Sequence, residues 1–124
     1  MVTKRSRLQM EFARAQKLQK AGRYGEAERA WLDLDRRASN HAGVLTNLAM
    51  VQWQLGAFDK SEITSKRAIA VGPDMVQAHV ICGAATEARG AVTDAITHYE
   101  RVLELKPEFT SVMHSLANLH RRQG

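Results

Sequence analysis

The fold of this 124-residue chain is decided by a heptapeptide that occurs three times, as AGRYGEA at residues 21–27, LGAFDKS at 55–61 and RGAVTDA at 89–95. Successive copies start 34 residues apart, and each keeps a glycine, then an apolar residue, then a small residue at fixed positions. The glycines continue the period along the whole chain, at Gly22, Gly56, Gly90 and Gly124. A fixed period between about 20 and 50 residues is typical of a stacked-repeat architecture.

Two further columns follow the same period. A small residue stands seven positions before each glycine, at Ala15, Ala49, Gly83 and Ala117. Pro73 and Pro107 stand seventeen positions after the second and third glycines, whereas Ser39 takes this place after the first. Glycine suits the left-handed residue that ends a helix, and proline cannot continue one, so each period predicts two helices joined by a turn. We expect helices over residues 6–20, 24–37, 42–55, 58–71, 76–89, 92–105 and 110–122.

These columns resemble the tetratricopeptide repeat, a 34-residue helix–turn–helix with the pattern W-x₂-L-G-x₂-Y, then A-x₃-F, then P. The L-G pair is matched by Leu48-Ala49 and Leu116-Ala117, A-x₃-F by Ala27-x₃-Trp31 and Ala95-x₃-Tyr99, and P by Pro73 and Pro107. The departures are Arg14 and Cys82 for the leucine, Gln52 and Thr86 for the tyrosine, and Ser65 for the aromatic residue. The resemblance covers residues 8–124 and is to a generic bacterial-type array.

The resemblance implies an all-α fold, a right-handed α-solenoid of three full repeats plus one terminal helix, with seven helices in a single domain. The expected segments are a basic leader (1–7), three repeats (8–41, 42–75 and 76–109) and a first helix of a fourth repeat or a capping helix (110–124). That last helix carries Val112, Met113, Leu116 and Leu119, so we expect it to leave an apolar stripe uncovered.

Composition limits the class of protein. The chain has 18 Lys and Arg against 13 Asp and Glu, a formal net charge of +5. It has no run of 18 apolar residues, and its basic start MVTKRSR lacks the apolar stretch of a signal peptide, so we expect no membrane insertion. Cys82, the one cysteine, lies on the apolar stripe of its helix and is expected to be buried and inert, without an intrachain disulfide. These features predict a cytoplasmic protein.

Positive charge is concentrated at the two ends of the chain. Residues 1–41 hold ten Lys and Arg against five Asp and Glu, and the last helix adds Arg121 and Arg122. Basic segments can attract nucleic acid or acidic lipid, but no recognition motif or interleaved aromatic patch accompanies these residues. Nucleic acid is therefore not an expected partner. We interpret these basic residues as a solvated tail and a solvated helix end. They are Lys4, Arg5, Arg7, Arg36 and Arg37.

No arrangement of residues predicts an enzyme. The histidines His41, His79, His98, His114 and His120 lack the spacing of metal ligands, and each glycine is isolated, so no phosphate-binding loop is present. No Ser/His/Asp arrangement stands out. We therefore predict no catalytic activity, no metal site and no cofactor.

The resemblance implies that the first helix of each repeat lines a concave surface that takes a peptide. Matching columns place ten side chains on this surface: Phe12, Gln16, Asn47, Met50, Trp53, Val80, Glu87, His114, Asn118 and Arg121. Apolar groups among amides suit an anchored peptide whose backbone is hydrogen-bonded. Trp53 is expected either to be the anchor of a ligand pocket or to pack against a neighbouring helix.

One subclass of the family captures the acidic C-terminal tails of chaperones. It carries Lys and Asn in the first repeat, Asn in the second, and Lys and Arg in the third. The matching positions are Phe12, Gln16, Asn47, Gln77 and Ile81, of which only Asn47 fits. We therefore expect no carboxylate clamp.

The predicted function is a non-enzymatic scaffold that binds a protein or peptide on its concave face. The alternatives are a recognition or targeting arm of a larger multidomain enzyme, and a module that forms homo-oligomers through its terminal helix. Because the period stops at Gly124, we expect the chain to be the front portion of a longer protein, unless two copies pair or the last helix simply caps the stack.

Overall fold

The computed structural model describes residues 2–124, and seven α-helices account for most of them. The helices are α1 (Lys4–Lys20), α2 (Tyr24–Arg37), α3 (Ala42–Gln54), α4 (Phe58–Val71), α5 (Val76–Ala88), α6 (Val92–Leu105) and α7 (Thr110–Gln123). Each predicted helix end lies within two residues of the observed one. The described residues form no strand, and the predicted all-α solenoid of seven helices is confirmed.

The turns after α1, α3 and α5 share one hydrogen-bonded form. After α1, the Gly22 N–H donates to the Gln19 carbonyl and the Arg23 N–H donates to the Leu18 carbonyl, each at 3.0 Å. Gly22 has a φ of +77°, a left-handed conformation that closes this pair of bonds and strains any residue with a Cβ atom. The same two bonds recur after α3 and α5, so the recurring glycine of the sequence sets the angle between paired helices.

The connections between pairs differ. Pro73 follows the end of α4 and Pro107 follows the end of α6, as predicted. After α2, where the proline is absent, Asn40 adopts a φ of +62° instead. Asparagine tolerates this conformation better than other non-glycine residues, so a left-handed residue reverses the chain there.

Each helix packs mainly against the next one in the chain, and α3 also contacts α1 and α5. This nearest-neighbour pattern is that of a solenoid. One apolar cluster centres on the fully buried Trp31 between α1, α2 and α3, and a second centres on Tyr99 and Leu119 between α5, α6 and α7. The first helices are thereby held side by side.

Small hydroxyl side chains are buried on α4, which packs between α3 and α5. Ser61 and Ser65 of α4 are fully buried. The Ser61 hydroxyl donates to the Ala49 carbonyl of α3 at 2.8 Å, and the Ser65 hydroxyl donates to the Glu62 carbonyl of its own helix at 3.0 Å. Serine thus replaces the aromatic residue of the repeat pattern without leaving a buried hydroxyl unpaired.

The expected apolar stripe on α7 is mostly covered. Val112 and Leu119 are buried in the cluster formed with α6, so the expectation was wrong for these two residues. Leu116 packs against the same cluster, and Met113 remains 43% exposed. The prediction of self-association through α7 depended on an uncovered apolar stripe. Most of that stripe is therefore buried within the chain. None of the helices in residues 2–124 combines the length and the apolar character needed to cross a membrane.

Candidate functional site

The structure gathers part of the predicted concave face into one depression between α1 and α3. We call it the amide depression, and its volume is about 270 Å³. Its lining residues are Gln16, Gln19, Lys20, Asn47, Met50 and Gln54. Of the ten predicted residues it brings together Gln16, Asn47 and Met50. Four of its six side chains are carboxamides, which both donate and accept hydrogen bonds.

Two of these amides are fixed by the fold. The buried Trp31 indole N–H donates to the Gln19 side-chain oxygen at 3.1 Å. The Gln19 side-chain nitrogen in turn donates to the Gln54 side-chain oxygen at 3.2 Å, which links α1 to α3. The core tryptophan of α2 therefore orients one wall of the depression.

The other two amides keep hydrogen-bonding capacity. The Asn47 side-chain nitrogen donates to the Gly43 carbonyl one turn earlier, at 2.8 Å. Within residues 2–124 the Asn47 side-chain oxygen accepts no hydrogen bond, and neither polar group of the Gln16 side chain forms one. Both side chains are half-buried beside the solvent, and a hydrogen bond anchors the Asn47 amide alone.

Besides the ten residues, the matching columns also place Gln19 on this face, because it shares the column of Trp53. Sequence reasoning missed the two remaining lining residues, Lys20 and Gln54. They occupy the same column of the 34-residue period, one position after the column that contains Trp53. Extending the predicted face by one column would have found both.

Trp53 lies on α3 but does not line the amide depression. Its ring centroid is 6.4 Å from that of Phe58 on α4, and the two rings are tilted by 59°. The side chain is still 39% exposed. The ring therefore packs in part against Phe58, and its role as the anchor of a ligand pocket stays a prediction.

Phe12 lies apart from the depression as well. Its ring meets Trp31 edge to face with centroids 4.8 Å apart, and it lies 6.1 Å from the His41 ring. This packing turns Phe12 toward a different groove, between α1, α2 and α3.

The predicted residues of α5 are used for internal contacts. Val80 packs against the cluster around Tyr99. Glu87 accepts a hydrogen bond from the Tyr99 hydroxyl at 2.9 Å, and its other carboxylate oxygen is 3.9 Å from Arg122. Burial, followed by this hydrogen bond, raises the pKa of Tyr99 above its usual range. The Glu87 carboxylate thus stabilises the packing of α5 on α6.

The predicted residues of α7 are exposed and separate from the amide depression. They are His114, Asn118 and Arg121. The Arg121 guanidinium donates to the Asn118 side-chain oxygen within the same helix. None of the three is among the residues of α1 and α3 that line the depression.

Cys82 contacts a histidine on the neighbouring helix, which the sequence of α5 alone could not predict. The buried sulfur lies 3.3 Å from Nε2 of His98 on α6. Burial raises the pKa of the Cys82 thiol and lowers the pKa of His98, so the pair is a neutral thiol beside a neutral imidazole. Such a pair lacks the thiolate that nucleophilic cysteines need. Across residues 2–124, no three His, Cys, Asp or Glu side chains gather as metal ligands.

Solved structures with this architecture include domains that hold peptides. The first TPR of Spaghetti (RPAP3), bound to the HSP90 peptide SRMEEVD, is 25% identical with a TM-score of 0.91, covering 94% of this chain and 92% of that one. The first TPR domain of human RPAP3 is also 25% identical, with a TM-score of 0.87 and coverage of 92% and 90%. The Yersinia enterocolitica type III secretion translocator chaperone SycD has a TM-score of 0.91 over 99% of this chain and 89% of that one, and at 15% identity it shares the fold alone.

The sequence itself matches the family model described as tetratricopeptide repeat, over residues 12–64 and 66–108. The two matched segments span most of the chain and include every residue of the amide depression. They also include the first three turn glycines and the first three small residues of the period, Ala15, Ala49 and Gly83. The chain belongs to the tetratricopeptide repeat family.

Proposed function

We propose that this chain is a non-enzymatic scaffold that binds an extended peptide segment of a partner protein in the amide depression. The observation that carries the proposal is the set of four carboxamides converging between α1 and α3. Peptide binding by a related domain, the first TPR of Spaghetti with its HSP90 peptide, supports it.

The chemistry of the depression fits a peptide backbone. An extended peptide presents N–H and C=O groups in alternation, and a carboxamide matches either one. Gln16 and Asn47 supply the uncommitted groups, while the Gln19–Gln54 bond links α1 to α3 beside them. Met50 adds a flexible apolar surface that adapts to different side chains. The exposed part of Trp53 lies between Met50 and Gln54 in the sequence of α3 and would contact a peptide that continues past the depression.

The acidic tail of a chaperone is not the proposed ligand. In the positions that would supply a carboxylate clamp, Phe12 packs on Trp31 and Ile81 is 2% exposed. Neither can present a cation to a terminal carboxylate. We therefore expect a ligand recognised through its backbone and not through a charged C-terminus.

The test selects ligands from a displayed library of random peptides on the intact chain and measures their affinity for variants. Gln16→Ala combined with Asn47→Ala removes the two uncommitted amides. Because each lost hydrogen bond costs roughly 0.5–1.5 kcal/mol, we expect affinity to fall by about tenfold.

The matched control replaces two glutamines on other first helices, Gln77→Ala with Gln123→Ala, neither of which lines the depression, and should leave affinity unchanged. Unchanged affinity in the Gln16 and Asn47 variant, with the fold retained by circular dichroism, would refute the proposal. Tight binding of SRMEEVD to the unaltered chain would instead contradict the absence of a clamp.

A further inference from the structure

A second groove lies between the first half of α1, the end of α2 and the start of α3. Its volume is about 740 Å³, within the range of pockets that take a ligand larger than a single side chain. We call it the basic groove, and the residues that define it are Lys4, Arg5, Leu8, Phe12, Leu34 and Val44. None of them lines the amide depression.

The floor of the basic groove is apolar. Leu34 and Val44 are buried core residues, and Leu8 and Phe12 pack against them while remaining partly exposed. Apolar surface at the base of an open groove favours a ligand that brings apolar side chains of its own.

The rim is positively charged. Lys4 and Arg5 line it, and an adjoining depression of about 550 Å³ is lined by Lys4, Arg7, Leu8 and Arg37. Arg37 is paired with Glu11 and Asp33. Lys4, Arg5 and Arg7 have no carboxylate within 4.0 Å among residues 2–124, and no acidic side chain lines either depression.

These cations also stand where the helix does not favour them. Lys4, Arg5 and Arg7 lie in the first two turns of α1, whose first turn has no acidic residue. The N-terminal end of a helix carries partial positive charge, so it repels the cationic side chains there. The same partial charge and these cations together attract an anion. Charged side chains that lower the stability of their own helix and have no ion-pair partner are expected at functional positions.

We propose that the basic groove binds an acidic peptide segment that carries apolar side chains, at a site separate from the amide depression. The charge of the rim and the apolar floor both complement such a segment. Single-stranded nucleic acid fits less well, because base stacking needs broad exposed aromatic faces. Phe12 is packed edge to face with Trp31, which leaves the small imidazole ring of His41 as the exposed aromatic group of the groove. The rim therefore has a binding role beyond the solvated tail expected from the sequence.

The experiment uses fluorescence anisotropy with a labelled synthetic peptide in which leucines recur every three or four residues and the positions between them are mostly glutamates. One matched peptide has serine for leucine and another has glutamine for glutamate. Both should bind at least about tenfold more weakly, since each lacks one of the two complementary features. The protein variant Lys4→Glu with Arg5→Glu should lose at least about tenfold in affinity.

The control is Arg14→Glu with Arg29→Glu, which makes the same change in net charge at exposed positions outside the groove. It should retain affinity within about twofold at physiological salt, where distant charges are screened. Equal loss in both variants would mean that the overall field alone attracts the peptide, and would overturn the proposal. Equal binding of the serine peptide would overturn it as well.

Two further outcomes would assign the groove to another occupant and overturn the proposal. One is that a single-stranded oligonucleotide binds more tightly than the peptide, and that the Lys4 and Arg5 variant no longer binds it. The other is a concentration-dependent dimer, seen by light scattering, that the same variant dissolves. The Gln16 and Asn47 variant should bind the acidic peptide normally, so this proposal and that for the amide depression succeed or fail independently.

Discussion

Replacing Gly83 by alanine tests how closely α5 and α6 pack. A Cβ atom added at Gly83 would lie 2.6 Å from Cε1 and 2.8 Å from Cδ1 of the Tyr99 ring. Separations below about 3.0 Å do not occur between such atoms, so the ring or the helix must shift. Tyr99 is 4% exposed and its hydroxyl is bonded to Glu87, so the ring cannot move away without breaking that bond.

Two effects of opposite sign decide the result. Alanine in the middle of a helix is more favourable than glycine by about 0.5–1 kcal/mol. Inserting a methyl group into a packed core costs about 1–3 kcal/mol. We expect the clash to win, with a net loss of up to about 2.5 kcal/mol in the free energy of unfolding. For a chain of this size, each kcal/mol corresponds to a fall in Tm of about 3–5 °C.

Urea unfolding followed by far-ultraviolet circular dichroism measures this loss. Gly25→Ala on α2 is the matched control, because a Cβ atom there meets nothing within 4 Å, and it should not destabilise the chain. In a Tyr99→Leu background, Gly83→Ala should change sign and stabilise by about 0.5–1 kcal/mol. A stabilising effect of Gly83→Ala in the unaltered chain, or the same loss in both backgrounds, would refute the reasoning.

Two further predictions concern Cys82 of α5 and His98 of α6, whose side chains are in contact. Burial, followed by the charge of His79, lowers the pKa of His98, so the unfolded chain binds more protons and the free energy of unfolding should fall from about pH 7 to pH 5. His98→Gln should reduce that fall in denaturant titrations at several pH values, and an identical pH dependence would contradict the assignment. Cys82 is fully buried and its thiol pKa is raised, so a thiol reagent should label it at the rate of unfolding, whereas immediate labelling of the folded chain would show an accessible thiolate.

The elements of the fold could be predicted from the sequence because their causes are local. A glycine with a φ near +77°, such as Gly22, acts through its own backbone, and a proline ends a helix wherever it stands. Such residues indicate the turn without reference to the rest of the chain. Asn40 was missed because asparagine adopts the left-handed conformation only in some contexts, and nothing in its neighbours distinguishes this one.

The site was less predictable because its members are selected by contacts between helices. Phe12 and Gln16 lie one turn apart on the same predicted face, yet the ring of Phe12 packs on Trp31 and lines the other groove. Glu87 shares a column with Trp53, but the Tyr99 hydroxyl holds its carboxylate. A column of the repeat predicts in which direction a side chain points from its helix. The residue that it meets on the neighbouring helix decides whether its polar or apolar groups remain free to contact a ligand.

The two proposed binding surfaces lie in the half of the chain formed by α1, α2 and α3, whereas several polar side chains of α5, α6 and α7 bond to one another. Glu87 with Tyr99 and Cys82 with His98 are examples. Since each unit of a solenoid contacts mainly its neighbours, a loss of packing between α5 and α6 should lower stability without displacing side chains between α1 and α3. The Gly83→Ala chain, at a temperature where it remains folded, should therefore bind its peptides as the unaltered chain does. A fall in affinity there would mean that the concave surface acts as one unit, and the ligand would then have to extend onto α5.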